Sequence, residues 1–516
     1  MSKCNYRLPA TEVANPVRPN YTGYQCNRDA WESGKCIWHA NSPNKPISEL
    51  QKEFDRSGRK LVGAKLYSIH FEDSIDFSEA DLLEADIRSC DFRHAEMENV
   101  AFAGSKIQDS NFSGAELSYG NAVFSEIKNV NFDQANLYRF SFAESEMSNV
   151  NIHGRNMEKS TFSAIDLSRV NIPDIDFHNV NFSGSNLYDR DLRGSSFIEC
   201  DFSGADLTDV DFGGVGLNDG VFTGATMAGT HFGGADLTDA TFGEDDLTTC
   251  GFGGATLEGV DFESADLSGQ DLSGLNMRES NLNGADLSNA NMEGGNLQEC
   301  ELENTVIEDA NLRITDLSGA YTYQCYMNKV WVNSESTFYP SGYDEKDNPE
   351  YDKSARVYRN YQNIFRENSL PEISRRFRIY EKDIRVKSKI SESPIVGRVS
   401  LLSRWVWLYA ESWKRILATS AVIIALYSVL YNYMSVSEAS PISSRQVVLG
   451  HTINFPGISY DIINAIYFSV STFTTLGYGD IQPNSIFTRI LAGSEALVGS
   501  LLIAALLFVI GRRTTW

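Results

Sequence analysis

From residue 77 to residue 317 every fifth position of this chain is apolar. Phe77, Leu82, Ile87 and Phe92 open a run of 49 such positions, all Phe, Leu, Ile or Met except Ala122, and Leu317 closes it. Two residues earlier the chain prefers a small residue, as in Ala205-Asp206-Leu207, Ala235-Asp236-Leu237, Ala265-Asp266-Leu267 and Ala285-Asp286-Leu287. A period of five fits neither an α-helix nor a flat strand. It predicts a coil that turns the large and the small residue inward and leaves three positions in five to solvent. Leu61, Leu66 and Phe71 come earlier, displaced by one residue, so an inserted residue is expected between Asp73 and Asp76. Phe140, Arg155, Arg190, Asp245 and Gln270 stand where small residues are usual. There the wall is expected to bulge or the side chain to turn outward.

This pattern resembles the pentapeptide-repeat family, A(D/N)LXX. The resemblance implies a right-handed, four-sided parallel β-helix with four pentapeptides per coil. Forty-nine repeats then give about twelve coils and, at ~4.8 Å between stacked strands, a rod roughly 58 Å long. Open terminal coils expose unpaired strand edges and need covers. The segment Tyr321 to Val332, with four aromatics, is expected to close one end, and residues 1–55 the other.

Beyond the repeat the apolar spacing turns helical. Val357, Tyr361, Ile364 and Phe365 share one face and Ile373, Phe377, Tyr380 and Ile384 another, with Asn368-Ser369-Leu370-Pro371 between them, which predicts a helical hairpin. Its second helix is basic (Arg375, Arg376, Arg378, Lys382, Arg385, Lys387, Lys389), suited to anionic headgroups, to an acidic surface, or simply to solvent. Arg398 to Trp413, with three tryptophans and Tyr409, reads as an interfacial helix. Ile416 to Met434 and Ile490 to Ile510 are each long enough to cross a ~30 Å hydrocarbon layer, while Ile462 to Thr474 is too short and reads as a re-entrant pore helix. Lys414 and Arg415 before the first span, and Arg512 and Arg513 after the second, predict cytoplasmic N- and C-termini, a multi-pass protein of the cell membrane and an external turret over Ser435 to Tyr460. Arg489 lies on the other side and is outvoted. Residues 1–50 hold no apolar signal segment, and no span carries the periodic arginines of a voltage sensor.

Between the spans stands Thr475-Leu476-Gly477-Tyr478-Gly479-Asp480. It resembles the TxGYGD selectivity filter of two-transmembrane potassium channels, with Leu476 where valine is frequent. The resemblance implies a homotetramer in the lipid bilayer whose carbonyls at Thr475, Leu476, Gly477 and Tyr478 hold K+, the Thr475 hydroxyl completing the innermost site. Two glycines, Gly477 and Gly479, alternate with bulky residues and let the backbone turn its carbonyls to one side. Tyr467 and Phe468 are expected to pack around this loop. Asp480 either rings the outer mouth or fastens the loop to the pore helix. Glu495, an acid inside the second span, lies behind the pore helix taking hydrogen bonds from Ser469, Ser471 or Thr472, faces the cavity, or is a protonated group tolerated near the outer leaflet. Gly499 serves either inner-helix bending or close helix packing.

The resulting fold class is mixed multidomain. A Cys/His cap (1–55) precedes a β-helix (56–320), a linker (321–395), an interfacial helix (396–415) and an all-α pore domain (416–516). Cys4, Cys26, Cys36 and His39, spaced C-x21-C-x9-C-x2-H, are four ligands suited to tetrahedral Zn2+, although the spacing matches no common finger; the other reading is reduced cysteines beside an unrelated histidine. A disulfide is disfavoured at a cytoplasmic end. Cys90, Cys200, Cys250 and Cys300 occupy small inward slots and are packing residues.

Charge sharpens the division. Residues 75–320 carry 45 acids against 12 Lys and Arg, net −33, while the chain carries −25, so the remainder is +8. Such a surface suits a halophilic source. The competing reading is a membrane-anchored acidic scaffold that imitates DNA, without conductance. No nucleophile, acid pair or phosphate loop points to an enzyme, and no nucleic-acid partner is expected. A cytoplasmic ligand or partner at the β-helix is expected to regulate the pore, or the rod to scaffold it.

Overall fold

A computed structural model describes residues 2–8, 24–71, 75–170, 172, 175–333, 335–339, 351–392, 401, 404, 412–437, 442–444, 460–477, 479, 481–483 and 485–514. The chain forms two compact units, Met1–Gly342 and Tyr343–Trp516.

The first unit is a parallel β-solenoid of about thirteen turns. Its ladder pairs each residue with the one twenty positions on: Asp81 with Ala101, Asp91 with Asn111, Glu96 with Glu116. The strand Asp86–Arg88 pairs in the same way with Lys106–Gln108. Ladder positions recur every five residues, so each twenty-residue coil has four sides. The first pairs are offset by twenty-one, Lys60 with Asp81 and Lys65 with Asp86, which places one extra residue between Phe71 and Phe77. Asp73 lies outside the described residues. A second such insertion follows Trp331, because Asn311 pairs with Trp331 but Asp316 with Thr337.

The inward large residues are almost wholly buried, and phenylalanines stack on the coil above: Phe202 on Phe222 at 5.3 Å, Phe222 on Phe242 at 4.9 Å, Phe242 on Phe262 at 5.3 Å. Full burial of each such ring contributes about 1.5–3 kcal/mol. The small slots hold mostly Ala, Val, Ser, Thr and Cys, and several of the polar ones reach a carbonyl of the preceding coil: Thr230 donates to Leu207 O at 2.9 Å, Ser280 to Leu257 O at 2.7 Å, and Cys300 to Met277 O at 2.8 Å. Cys250 does the same, so the repeat cysteines are packing residues.

Four of the five oversized residues obey simple rules of space. Phe140 stays inside, 4.6 Å from Phe142, because the slot one coil earlier is Gly120, whose absent Cβ would stand 2.8 Å from the Phe140 ring. Gln270 stays inside and makes the bond a Ser or Thr would make, to Leu247 O at 2.7 Å. Asp245 stays inside, one oxygen accepting from Gly224 N at 2.9 Å and the other buried without a donor. Only Arg155 turns fully outward, to Glu116 at 3.2 Å. Arg190 is half-buried, 3.4 Å from Ser168 O.

The ladder does not stop at Leu317. Tyr321 pairs with Glu301, Tyr326 with Val306 and Trp331 with Asn311, so this segment adds a coil, and Tyr326 and Trp331 are 53 % and 62 % exposed. Tyr321, Tyr326 and Trp331, expected to close the end, occupy outward positions instead, because each falls one residue before an inward one; Tyr323 falls one residue after.

The other end is covered. Helix α1 (Ile47–Ser57) buries Leu50 and Phe54, with Phe54 edge-on to Phe77 at 5.6 Å.

In the second unit α2 (Tyr351–Glu367) and α3 (Pro371–Glu392) form the predicted hairpin around buried Tyr361 and Phe365, with Phe377 stacked on Phe365 at 5.3 Å. Glu381 of α3 joins Arg359 and Arg385. The interfacial segment Arg398 to Trp413 lies largely outside the described residues. Helices α4 (Trp413–Ser437) and α6 (Ile486–Thr514) overrun both predicted spans, and α5 (Tyr460–Phe473) sits between them in sequence. The span segments have mean hydropathies of 1.6 and 2.2, yet only 17 % and 22 % of them is buried. A soluble core helix would be covered by its own chain; these are not. Most of the expected turret lies outside the described residues; its strand Ile442–Ser444 pairs antiparallel with Ile481–Pro483, just after the filter.

Candidate functional site

Helix α5 ends at Phe473, and the next residues fold back on it. Thr475 N donates to Thr472 O at 3.0 Å, Leu476 N to Ser471 O at 3.0 Å and Gly477 N to Ser471 O at 3.4 Å. Thr475, Gly477 and Gly479 take φ of 58°, 44° and 74°. Left-handed residues thus alternate with Leu476, a conformation glycine adopts without strain. With the amides spent on the helix end, the carbonyls of Thr475, Leu476 and Gly477 accept no hydrogen bond among the described residues. That is the arrangement a cation-coordinating loop needs, and the negative end of the α5 dipole lies beside it. Leu476 is 62 % exposed. The Thr475 hydroxyl donates to Thr474 O at 2.7 Å, and Gln482 Nε2 donates to Gly479 O at 3.3 Å. Tyr478 and Asp480 lie outside the described residues.

Glu495 is fully buried behind this loop. Tyr431 of α4 donates to it at 2.8 Å, and the Ser469 hydroxyl of α5 lies between Glu495 and Ile424 O, 3.0 Å from the latter. Three helices therefore meet at one carboxyl. Of the three donors the sequence offered, only Ser469 reaches it; Ser471 bonds Phe468 O of its own helix at 3.0 Å. Tyr431 was missed, since a tyrosine on a separate span leaves no spacing signal. Phe468 packs edge-on to Tyr431 at 4.9 Å, on the outer-helix side rather than around the filter, and Tyr467 is 39 % exposed. At Gly499 an added Cβ would stand 2.1 Å from Phe473 O, so this glycine brings the second span against the end of the pore helix. Of its two expected roles, close packing is the one this geometry displays.

A second constellation lies in the repeat unit. Cys4, Cys26, Cys36 and His39 are all buried, and their ligand atoms lie within 4.8 Å of one another. His39 Nδ1 is 3.4 Å from Cys4 Sγ and 3.2 Å from Cys36 Sγ, and Cys26 and Cys36 are 3.8 Å apart. Ligands at about 2.3 Å (sulfur) and 2.0–2.1 Å (nitrogen) around a tetrahedral ion would be separated by about 3.8 Å and 3.5 Å, so the set fits zinc. The outer nitrogen, His39 Nε2, is 2.8 Å from Val62 O. A carbonyl only accepts, so Nε2 carries the proton and Nδ1 offers its lone pair to the sulfurs. Tyr6 stacks on the imidazole at 4.0 Å. The Cys26–Cys36 hydrogen bond favours the thiolate at Cys26 and the thiol at Cys36.

Residues 443–515 match the ion-channel family. Stretches 95–134, 125–163, 175–214, 250–289 and 285–321 match pentapeptide repeats, in eight copies. The chain therefore carries an ion-channel domain of the two-transmembrane type together with a pentapeptide-repeat domain, and two of its helices are long and apolar enough to cross a membrane. Among solved structures it is similar to HetL, a pentapeptide repeat protein involved in heterocyst differentiation regulation in the cyanobacterium Nostoc, at 16 % identity over 58 % of this chain and all of that one, TM-score 0.17. QnrB1, a plasmid-mediated fluoroquinolone resistance protein, matches at 18 % identity over 39 % of this chain and 92 % of its own, TM-score 0.20. Rfr23 from a Cyanothece cyanobacterium matches at 20 % identity over 25 % and 90 %, TM-score 0.14. No curated protein matches the chain.

Proposed function

We propose that this chain is the subunit of a potassium-selective channel built from four copies, which passes K+ down its gradient. The observation that carries the reading is the filter loop: amides turned back to Ser471, Gly477 and Gly479 left-handed, and the Thr475, Leu476 and Gly477 carbonyls without donors among the described residues, all between two apolar helices that their own chain leaves uncovered. One loop supplies a quarter of a carbonyl cage, and cyclic symmetry completes it. Exposed Leu476 is then covered by a neighbouring copy. Glu495 ties the inner helix to the pore helix and outer helix, and Gly499 sets how near the inner helix lies. Tyr478 and Asp480 complete the filter and its outer mouth, by their place in the sequence. Both termini face the cytoplasm, and the β-helix regulates or scaffolds the pore. The N-terminal cluster holds one zinc ion.

Full-length protein in potassium-loaded liposomes is expected to release K+ once the counter-charge is relieved, with Na+ at least tenfold slower. Liposomes that hold their potassium would favour the anchored acidic scaffold. A chain beginning at Ser393 separates the two roles of the rod: unchanged open probability removes regulation.

A further inference from the structure

The thiol cluster stands beside a place where the solenoid is chemically unfinished. The first coil has no coil beneath it, so its carbonyls would be left as an open edge. Three side chains of the N-terminal segment meet them. Arg28 Nη2 donates to Lys60 O at 2.6 Å, His39 Nε2 donates to Val62 O at 2.8 Å, and Lys45 Nζ donates to Lys65 O. The backbone adds Lys65 N to Trp38 O at 2.6 Å and Asn44 N to Tyr67 O at 3.0 Å. Lys45 is 3 % exposed, and burial pulls its ammonium down to about 8, so this cover sits in a dry setting where an unmade bond is costly.

His39 belongs to both constellations. One ring nitrogen faces three sulfurs and the other closes the edge. We propose that a zinc ion on Cys4, Cys26, Cys36 and His39 is the lock of this edge cover. By occupying Nδ1 it fixes the proton on Nε2 and aims the ring at Val62 O, and by joining Cys4, Cys26 and Cys36 it holds the segments that carry Arg28 and Trp38 in place. The inference rests on the zinc reading above and is separable from it. It makes metal occupancy, rather than the small core of residues 1–55, the condition for a closed first coil.

The test uses full-length protein in detergent, with metal content and amide hydrogen exchange read on the same sample. One zinc per chain is expected. Stripping it with a chelator is expected to speed exchange at least tenfold in residues 36–71 and to leave residues 200–260 unchanged. Cys36→Ser is expected to reproduce this without chelator. Lys45→Met is expected to keep its zinc and to speed exchange near Lys65 alone, which shows that the edge bonds themselves protect. Protein purified without stoichiometric zinc, and unable to take it up, removes the metal reading. Zinc present, with exchange in 36–71 unchanged on its removal or raised equally along the whole solenoid, overturns the edge lock while leaving the metal in place.

Discussion

The solenoid and the channel helices are both rich in apolar side chains, but they satisfy them differently. In the solenoid inward residues meet residues one coil away in the same chain, and Phe202, Phe222, Phe242 and Phe262 are buried to within 1 %. In the channel unit Val429, Leu497, Leu501 and Leu507 are 60–66 % exposed, and the carbonyls of Thr475, Leu476 and Gly477 accept no hydrogen bond among the described residues. A repeat writes its contacts into one chain. The proposed pore would leave much of its contact set to lipid and to symmetry-related copies, so equal hydrophobicity would carry opposite meanings in the two units.

The contrast breaks most sharply at the filter. Gly477→Ala puts a Cβ on a residue at φ 44° in open space. Folding of the repeat unit should be untouched, while potassium flux from liposomes falls by at least a hundredfold. Next comes the buried carboxyl. Glu495→Ala removes the carboxyl to which Tyr431 and Ser469 bond and is expected to weaken the packing of the three helices by about 1–3 kcal/mol, read as a lower Tm of the channel unit, with Glu495→Gln restoring most of it.

The solenoid counterpart is a matter of space within one chain. Gly120→Ala drives a methyl group to 2.8 Å from both the Phe140 ring and Val100 O, an expected loss of about 1–3 kcal/mol in the thermal unfolding of the repeat unit. Adding Phe140→Leu should return part of it, because one of the two clashes goes. The smallest effect belongs to Asp245, whose carboxyl burial pushes up to about 6 from 3.8. The native chain holds that proton more tightly than the unfolded chain, so the contribution is full below about pH 4 and is lost as pH rises through 6. Asp245→Asn should raise Tm by about 2–4 °C at pH 8 and leave it unchanged at pH 4.

The five-residue phase disclosed the solenoid, its one-residue slip before Phe77, the repeat cysteines and the wall's oversized residues, because each repeat uses the same geometry. It did not disclose that Gly120 makes room for Phe140: that compensation lies twenty residues away and is visible only once the coils are stacked. The acidity read as salt adaptation has a local cause as well. Asp201 and Asp206 accept from the amides of Ser203 and Thr208, so the Asp of A(D/N)LXX shapes the turn. At the sites, the Cys4, Cys26, Cys36 and His39 cluster was legible as residue types, but the Nε2 contact with Val62 O was not, since a backbone acceptor has no sequence signature. Glu495 was legible as an expensive group and Ser469 as a donor to it; Tyr431 needed the packing of two spans.

Ion selectivity is the property on which a potassium filter stands or falls. The direct measurement is the reversal potential of full-length protein in a planar bilayer with K+ on one side and Na+ on the other. It is predicted to lie close to the potassium equilibrium potential and to collapse in Gly477→Ala. A reversal near zero with robust conductance would contradict a potassium filter, and the absence of any conductance would contradict the pore.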